Sequence, residues 1–555
     1  MTRAISTVRP ARSPERAGSD DFCRKALPRE SDWPVMNYGS LPELAYPKLM
    51  NCASVLLDAA VAAGMSDRTV FHHSHGNWSY RRLLETANRI AHVLVDDLGL
   101  RPGNRVLLRG PNHPMLAACW LATVKTGGIV VCVNPLLRAR ELSDVISQSK
   151  VNFALSDARV IEECEKALAA EVRRVPVMRF NLREIDSLES RMKTKPGEYK
   201  NHESSAVDPV IIAFTSGTTG KCKGTVHTHR DILAACDTFG RYVLEPEAAD
   251  IFCGSPPLAF TYGLGGLLLF PLRFGASVLL LEQGTPMHLL HGIQHHRASV
   301  CFTAPTGYRA MLKHLSEFDI SSLRKCVSAG EHLPLGTYEA WLKATGIKII
   351  DGIGSTEMLH MFISSSGEEI RPGATGRVVP GYEARIVDGH GKEVPTGQIG
   401  RLAVRGPTGC RYLNNPAEQK KYVRDGWNLT GDSFRVDGDG YYWYQARTDD
   451  MIVSSGYNIS AVEVENALLD HPKVSECAVV GAPDAERGHI VKAFVVLAEG
   501  VEGTEALVKE MQDFMKAEIA PYKYPRAIEF VPSLPRTANG KLRRFMLRQP
   551  EAGES

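Results

Sequence analysis

Hydroxyl groups, glycines and lysines are concentrated between Phe214 and Gly224, directly after the apolar run 209–213, which predicts a buried strand. The hydroxyls and glycines are Thr215, Ser216, Gly217, Thr218, Thr219 and Gly220. Glycines let the backbone approach an anion closely, and successive N–H groups with hydroxyls can hydrogen-bond phosphate oxygens. Lys221 and Lys223 add compact positive charges that suit a polyphosphate. The stretch predicts a triphosphate cradle, although this composition is also typical of a solvated surface loop.

The spacing of this stretch differs from that of the P-loop NTPases. Their pattern has four residues between its glycines and Ser or Thr after its lysine, whereas here two residues separate Gly217 from Gly220 and Cys222 follows the lysine. The stretch resembles instead the phosphate loop of the acyl-adenylate-forming superfamily, the acyl- and aryl-CoA synthetases and their relatives, and departs from it only at the cysteine. The resemblance implies nucleotide binding by this loop, with catalytic roles for Thr215 and Lys223.

A second glycine-rich turn, residues 351–357, follows another strand-like run. Its glycines, Gly352 and Gly354, again allow close backbone approach to a ligand. Thr356 and Glu357 offer the hard oxygen ligands that Mg²⁺ prefers. By itself, such a turn with a solvated acid is common. Its likeness to the family's adenine and magnesium motif implies a role in binding the nucleotide and the metal ion.

The same resemblance assigns roles around the adenine. Asp351 matches the position that meets the adenine amino group, and Ser355 belongs to the same nucleotide-binding turn. Glu357 is implied to be catalytic as well as a metal ligand. The segment Ser-Ala-Gly-Glu that ends at Gly330 and Glu331 resembles the one that packs against the other face of adenine.

Two short motifs near the middle of the second half complete the nucleotide site. A carboxylate can accept two hydrogen bonds side by side, which suits the vicinal hydroxyls of ribose, and Asp432 in Thr-Gly-Asp resembles the family's ribose ligand. The charged run from Arg447 resembles the interdomain crossover, which implies that Arg447 contacts the nucleotide and that Asp449 is the hinge. The residues that this likeness places beside the CoA tunnel are Ser455, Gly456 and Tyr457.

A lysine close to the end of the chain matches the family's mobile catalytic lysine. Lys541 ends the stretch Pro-Arg-Thr-Ala-Asn-Gly-Lys, and alone it would be read as a solvated charge. Attack of a carboxylate on the α-phosphate brings two anions together, so a cation that bridges them stabilises the transition state. The motifs follow one another in the family's order, and the likeness covers nearly all of the chain from about Asn51.

Composition limits the classes of protein that remain. A chain of 555 residues is too long for one core, so two or more domains are expected. The formal net charge is +2, which indicates no nucleic-acid or acidic-lipid partner. The 12 cysteines form no CxxC pair or zinc-like cluster, which favours reduced thiols, a cytoplasmic location and no structural metal. No apolar run is typical of a membrane span.

Apolar periodicity predicts an α/β fold. Helical and strand-like segments alternate over 81–156 and again over 229–351, which predicts two α/β subdomains with parallel sheets. Short strands with Gly, Pro and Asp turns follow from about Ala374 and predict a small β-rich subdomain. We expect a disordered tail over 1–35, an N-terminal adenylate-forming domain over 36–448 and a small mobile α+β domain over 449–555.

Within the family, the chain is most similar to benzoate- and 2-aminobenzoate-CoA ligases. The residues that this likeness assigns to the acid site are Phe260, Thr261, Tyr262, Gly263, Ala329, Gly330, His360 and Met361. Apolar side chains with one or two polar groups suit a flat aromatic acid. Thr261 stands where benzoate enzymes tend to have alanine, which predicts a hydrogen bond to an amino or hydroxyl substituent on the ring.

These expectations describe an ATP-dependent acid:CoA ligase that forms an acyl-AMP intermediate and uses ATP, CoA and Mg²⁺. Its partners would be small molecules, without nucleic acid or a membrane span, and the chain could form a homodimer. Two enzyme alternatives stay open: a medium-chain acyl-CoA synthetase, and a ligase that loads acyl-AMP onto a carrier protein. From a different class, the chain could be a catalytically silent nucleotide-binding protein.

Overall fold

The computed structural model describes residues 7–8, 18–182, 184–215, 222–447, 451–454, 457–484, 488–519, 523–536 and 542–548. A first sheet of six strands is parallel except for one edge strand, which pairs antiparallel with its neighbour. Apolar residues dominate its central strands because both faces are covered. In spatial order the six strands are Lys223–Thr228, Pro209–Thr215, Ile129–Val133, Arg105–Arg109, Phe153–Asp157 and Val177–Phe180.

A second sheet of nine strands has a parallel centre and antiparallel edges. In spatial order its strands are Arg377–Val378, Met361–Ser364, Ile349–Gly354, Lys325–Ser328, Val300–Thr303, Ile251–Gly254, Ser277–Leu279, Thr69–His72 and Trp78–Ser79. The two sheets correspond to the two α/β subdomains that the alternating pattern predicts.

Helices cover both sheets, and one lies inside the main core. The α- and π-helical segments are Phe22–Lys25, Ser54–Asp58, Val61–Met65, Tyr80–His92, Val93–Asp97, Pro114–Lys125, Ala139–Ser149, Ile161–Ala169, Leu188–Met192, His229–Ala235, Cys236–Leu244, Thr261–Leu264, Gly265–Leu269, Phe270–Phe274, Pro286–His296, Pro305–Leu312, Leu335–Thr345, Pro416–Tyr422, Ala461–Leu469 and Glu505–Glu518. Every residue of Pro114–Lys125 is buried, and this helix packs against Tyr80–His92. Proline at its first turn fits because that N–H has no partner in a helix.

Short 3₁₀ turns link several of these elements. They are Glu30–Asp32, Pro42–Leu44, Ala158–Val160, Leu315–Glu317, Thr356–Met358, Gly367–Glu369 and Arg544–Met546. No helix in the described ranges is long and apolar enough to cross a membrane.

A third, five-stranded antiparallel sheet forms the predicted β-rich part. Its strands are Glu383–Val387, Gly400–Arg405, Val423–Arg424, Trp427–Val436 and Tyr442–Arg447. A fourth sheet has the strands Ile452–Ser454, Tyr457–Ile459, Val474–Asp484, Gly488–Leu497 and Ala527–Phe530. With helices Ala461–Leu469 and Glu505–Glu518, the fourth sheet encloses its own apolar core, and we call it the C-terminal unit.

The predicted disordered tail over 1–35 is wrong for residues 18–35, which pack against the first sheet at Asp20 and against the third at Val35. Asp20 forms a 2.6 Å ion pair with Arg105, and its carbonyl lies so close to Gly103 that a Cβ there would stand 2.1 Å from it. Cys23 and Trp33 are buried. Ion pairs and one aromatic anchor therefore hold a segment whose composition alone favours disorder. Two short strands flank this segment in the sequence, Thr7–Val8 before it and Met36–Asn37 after it, and they pair antiparallel with each other.

Candidate active site

The predicted nucleotide residues gather where the strands of the two parallel sheets end. Thr215 is the last residue of its strand, and Asp351 lies in the strand Ile349–Gly354. The strand that ends at Thr215 packs against the 3₁₀ turn Thr356–Met358. Ligands of open α/β sheets bind at the carboxyl ends of the strands. The fold thus brings the first two sequence motifs to one edge of the molecule.

On the phosphate side, the described residues are Thr215, Cys222 and Lys223. Ser216, Gly217, Thr218, Thr219, Gly220 and Lys221 lie outside the described residues. The ammonium of Lys223 forms an ion pair with Glu418 and lies 5.7 Å from the ring centre of Tyr412. Glu418 therefore compensates the lysine charge and orients it, and an incoming phosphate would compete with this carboxylate.

Glu357 has the surroundings expected of a cation ligand. Its side chain is buried, and the hydroxyl of Tyr412 donates a 2.7 Å hydrogen bond to Oε1. Within the described ranges, no hydrogen bond reaches Oε2. The adjacent Thr356 carbonyl lies 2.7 Å from Nε2 of His227, which fixes the turn. A carboxylate held by one oxygen and open at the other suits Mg²⁺, so Thr356 and Glu357 fit the predicted metal site.

Asp351 has the unsatisfied acceptor that an adenine amino group would fill. Its Oδ1 is buried and has no hydrogen-bond partner among the described residues. Burial raises the pKa of Asp351 well above its usual range. The Ser364 hydroxyl donates a 2.6 Å bond to the Asp351 carbonyl, which anchors the strand. A buried oxygen without a donor is costly, so a ligand N–H here would be stabilising.

Packing around the neighbouring strands also explains the glycines of this motif. A Cβ at Gly352 would lie 2.6 Å from the sulfur of Met361, and one at Gly354 would lie 2.7 Å from the carbonyl of His360. Ser355 caps the turn by accepting a hydrogen bond from the N–H of Met358. The first two positions need glycine for strand packing alone, whether or not a nucleotide is bound.

The predicted ribose site holds a carboxylate and a guanidinium side by side. Asp432 and Arg447 face each other on paired strands of the third sheet, and Nη1 of Arg447 lies 2.9 Å from Oδ1 of Asp432. The Asp432 carboxylate raises the pKa of Arg447 above its usual value. Gly431 has φ 77°, and a Cβ there would lie 2.9 Å from the guanidinium. Glycine therefore allows this pair to form.

The predicted acid site contains a buried imidazole among aromatic rings. His360 is 3% exposed, and neither of its ring nitrogens has a hydrogen-bond partner of good geometry among the described residues. Its ring centre lies 5.0 Å from Phe239, 4.6 Å from Phe270 and 6.0 Å from Tyr262. Burial, only partly offset by the Tyr262 backbone, lowers the pKa of His360 to about 3. The ring is therefore neutral, with one donor and one acceptor unused.

Among the other predicted acid-site residues, Tyr262 contacts this imidazole. Tyr262 donates its hydroxyl to the carbonyls of Thr303 and Val327, at 3.2 and 2.9 Å, so only its ring is left to face a ligand. Thr261 is half-buried at the first turn of its helix. The remaining predicted members are Phe260 and Gly263 at the start of the same helix, Ala329 and Gly330 directly after the strand Lys325–Ser328, and Met361 at the start of the strand Met361–Ser364.

A cluster of His73, His113 and Glu282 brings potential metal-ligand atoms within 4.8 Å of one another. Backbone N–H groups donate to Nδ1 of both histidines, at 3.3 and 3.0 Å, so each neutral ring carries its proton on Nε2. Those Nε2 atoms lie 3.7 and 4.0 Å from Glu282, which also accepts two hydrogen bonds from Arg159. Two donors facing one acceptor suit a bridging water better than a metal ion.

Comparison with known families identifies the class. The model for AMP-binding enzymes matches residues 57–412, and the model for their C-terminal domain matches residues 463–541. The chain belongs to the AMP-binding enzyme family. Benzoate–CoA ligase from Thauera aromatica is 35% identical over 520 residues, which cover 91% of this chain and 97% of that protein.

Solved structures support the same assignment. The anthranilate CoA ligase AuaEII in complex with anthranoyl-AMP is 34% identical, with a TM-score of 0.86 and coverage of 91% of this chain and 98% of that one. A benzoate CoA ligase from Burkholderia xenovorans is 31% identical, with a TM-score of 0.83 and coverage of 90% and 100%. This AMP-binding enzyme is an AMP-forming acid:CoA ligase, and ligases of this kind use ATP, CoA and Mg²⁺. The predicted family, α/β class and ligase activity are confirmed.

Several predicted residues of this AMP-binding enzyme lie outside the described residues, or are described by their backbone only. Asp449, Ser455, Gly456 and Lys541 are in the first group, and Tyr457, at the start of a strand, is in the second. Residues on both sides of the lysine are described: Arg543 N–H donates a 2.9 Å bond to the Pro535 carbonyl, and Arg536 pairs with Leu542. These pairs join residues 535–536 to residues 542–543, and we call this paired stretch the stem; Lys541 directly precedes its second segment in the sequence.

Sequence reasoning missed the side chains that orient the predicted ones in this AMP-binding enzyme. Tyr412 holds Glu357, Glu418 holds Lys223, and Tyr422 lies 3.3 Å from the Ser355 hydroxyl. The orienting residues Tyr412, Glu418 and Tyr422 lie between the glycine-rich turn 351–357 and Asp432, in a segment without periodic pattern. The family model over 57–412 reaches Tyr412 but not Glu418 or Tyr422.

Proposed function

We propose that this AMP-binding enzyme activates an aromatic carboxylic acid, with 2-aminobenzoate first and benzoate next, and transfers the acyl group to CoA. The observation that carries the proposal is the buried His360 ring among Phe239, Phe270 and Tyr262, whose two nitrogens have no well-oriented partner in the described part of the chain. A site lined by aromatic rings and one polar ring suits a flat substrate ring with a polar substituent better than an alkyl chain. The similar anthranilate ligase, which holds anthranoyl-AMP, supports this choice.

In the proposed first step, an oxygen of the acid attacks the α-phosphorus of ATP. The bond from that phosphorus to the bridging oxygen breaks, which gives acyl-AMP and pyrophosphate. Asp351 would accept the adenine amino group and Asp432 the ribose hydroxyls, with Arg447 beside them. Mg²⁺, when bound by Thr356 and Glu357, would neutralise phosphate charge. Lys223 and Lys541 would stabilise the charge that accumulates at the reacting phosphate.

In the proposed second step, the thiolate of CoA attacks the acyl carbonyl, a C–S bond forms and AMP leaves. The C-terminal unit would rotate about Asp449, withdraw Lys541 and bring residues 455–457 toward the acyl-AMP. No covalent enzyme intermediate is needed. The domain boundary at 448/449 belongs to this proposal, as do a homodimer and the cytoplasmic location that the reduced cysteines favour.

The test is a panel of aromatic and medium-chain acids, scored for acid-dependent pyrophosphate release and then for acyl-CoA. We expect 2-aminobenzoate and benzoate to lead the panel. Preference for hexanoate or octanoate would favour the medium-chain alternative. Release of pyrophosphate followed by acyl transfer to a carrier protein but not to CoA would favour the carrier-loading one. Absence of pyrophosphate release with every acid would revive the silent nucleotide-binding alternative.

Thr261→Ala should lower kcat/KM for 2-aminobenzoate relative to benzoate by about five- to tenfold. The Thr261 hydroxyl has no hydrogen bond to any described residue, so an ortho amino group can be its partner, and one neutral hydrogen bond contributes about 1 kcal/mol. Thr261→Ser, which keeps the hydroxyl, is the matched control and should retain the wild-type ratio. An unchanged ratio in the alanine variant, or wild-type preference for plain benzoate, would contradict this reading of the pocket.

His360→Phe should reduce the selectivity for substituted over plain benzoate and should also protect the fold against acid. With its pKa lowered to about 3, the folded ring stays neutral, whereas the unfolded ring takes up a proton near pH 6.5. The wild type therefore loses this part of its stability as pH falls below about 6.5, and the phenylalanine variant does not. Urea unfolding at pH 7.5 and pH 5 measures the difference, and an equal loss for both proteins would refute the assignment.

A further inference from the structure

We infer that Arg309, Glu476, Arg536 and Glu331 form a bridge that holds the C-terminal unit in position for the adenylation step. Within this bridge, the structure assigns Arg536 as a positioning residue for the first half-reaction. The inference rests on the proposed two-step function, and it names the contacts that favour the first of the two arrangements.

The bridge consists of alternating charges that cross between the two parts of the chain twice. Arg536 lies 3.2 Å from Glu331 through Nη1 and 2.8 Å from Glu476 through Nη2. Glu476 uses its other oxygen to bind Nη2 of Arg309 at 3.0 Å. Arg309 also donates to the carbonyl of Ser475 at 3.3 Å. Arg309 and Glu331 belong to the second sheet's layer, and the others belong to the C-terminal unit.

The location of the bridge links it to the nucleotide site. Glu331 directly follows Gly330, whose φ of 90° favours glycine, in the segment that we expect to lie against adenine. Arg536 is in the stem, whose second segment directly follows Lys541 in the sequence. On the other side of this stem, Arg544 binds both oxygens of Glu465 at 2.7 and 2.6 Å. The Arg536–Glu331 pair therefore fixes the stem next to the predicted adenine segment.

The contacts also indicate which pairs must separate if the unit rotates. Arg536 and Glu476 both belong to the C-terminal unit, so their pair can persist in either arrangement. The Arg536–Glu331 and Arg309–Glu476 pairs join different parts of the chain and would break. A further contact between the two parts joins Asn466 and His332 at 3.3 Å. The bridge thus stabilises one arrangement and not the other.

The ion pairs of the bridge are weak enough for the C-terminal unit to leave its adenylation arrangement reversibly. The side chains of Arg309, Glu331, Glu476 and Arg536 are 33%, 17%, 31% and 29% exposed, so solvent and salt screen their charges in part. Pairs at such positions each change an equilibrium by about two- to fivefold. Because Glu476 and Arg536 are shared, ordering one pair helps to order the next. A bias of this size favours adenylation without trapping the unit.

Glu476→Gln tests the bridge without altering the predicted nucleotide site. We expect adenylation, measured by acid-dependent pyrophosphate exchange, to fall about three- to tenfold, while thioester formation from supplied acyl-AMP and CoA stays unchanged or rises. Arg309→Gln should act in the same direction, and the double variant should be no slower than Glu476→Gln alone, since both remove one contact. The matched control is Lys473→Gln, which breaks a 2.8 Å ion pair with Glu510 inside the C-terminal unit and should change neither half-reaction.

Arg536→Gln should lower adenylation more than Arg309→Gln, and Arg536→Lys should recover part of the loss. Equal losses in both half-reactions would identify a merely structural role and overturn the proposal, as would normal adenylation in Glu476→Gln. Raising salt from 50 to 500 mM should reduce the difference between wild type and Glu476→Gln, because screening weakens the wild-type bridge.

Hydrogen exchange of the protein without substrates separates this inference from the proposed function. Glu476→Gln should increase exchange in the helix Pro305–Leu312 and at the start of the strand Val474–Asp484, relative to Lys473→Gln. If wild type releases no pyrophosphate with any acid, the proposed function fails, yet this readout still decides whether the bridge forms. Unchanged exchange in Glu476→Gln would show that the bridge does not hold the unit, and would overturn the inference.

Discussion

Lys541→Ala is expected to slow formation of the acyl-adenylate by about 10²–10³ and to leave thioester formation from supplied acyl-AMP nearly unchanged. That magnitude is what removal of one preorganised charge contact to a transition state typically costs. The different effects on the two half-reactions follow from the proposed rotation, because the lysine would be at the active site only in the arrangement for adenylation. Pyrophosphate exchange measures the first step, and acyl-CoA formation from synthetic acyl-AMP measures the second.

The described stem is the structural reason to assign the effect to this lysine. The Pro535 carbonyl and the Arg543 N–H close the stem, and Arg536 ties it to Glu331 beside the predicted adenine segment. Lys541 directly precedes Leu542 of this stem in the sequence, and we expect its side chain to act on the α-phosphate. Lys509→Ala, at an exposed lysine on the helix Glu505–Glu518, is the matched control and should alter neither step. Equal losses in both half-reactions for Lys541→Ala would remove the lysine from the assigned role.

The layered architecture could be predicted because apolar runs and their alternation depend on local sequence. The strands at 105–109, 129–133 and 153–157 fill both faces of a parallel sheet, so each is a nearly continuous apolar run. Motif positions were also predictable, since glycines and hydroxyls mark close backbone approach. The segment 18–35 was not, because single long-range contacts such as Asp20–Arg105 order it while its composition favours disorder.

The orientations of the side chains in the site could not be predicted, because they depend on contacts between residues far apart in the chain. Glu418 is 195 residues from the Lys223 that it holds, and Tyr412 is 55 residues from Glu357. Neither lies in a periodic or glycine-rich segment. The aromatic side chains around His360 are also brought together by tertiary packing, since Phe239 and Phe270 come from different helices. Local patterns identify the reacting groups, whereas tertiary packing determines their partners.

Asp449→Pro is expected to abolish acyl transfer to CoA while acyl-adenylate formation continues. Proline fixes φ near −65° and also restricts the residue before it, so a connection that must change conformation is locked in one state. Only residues 448–451 join the last strand of the third sheet, which ends at Arg447, to the first strand of the fourth, which begins at Ile452. A rotation of the C-terminal unit must therefore be absorbed within this short connection.

Asp449→Asn is the matched control, because it removes the carboxylate and keeps the freedom of the backbone. We expect this variant to retain both half-reactions, which would assign the proline effect to lost rotation and not to lost charge. Continued pyrophosphate exchange in Asp449→Pro would show that the protein is folded and that its first arrangement is intact. Accumulated acyl-AMP, measured by rapid quench in the presence of CoA, should then exceed the wild-type amount. If overall turnover in Asp449→Pro matches that of wild type, the hinge lies elsewhere, since a fixed φ at Asp449 would not have restricted the motion that the second step requires.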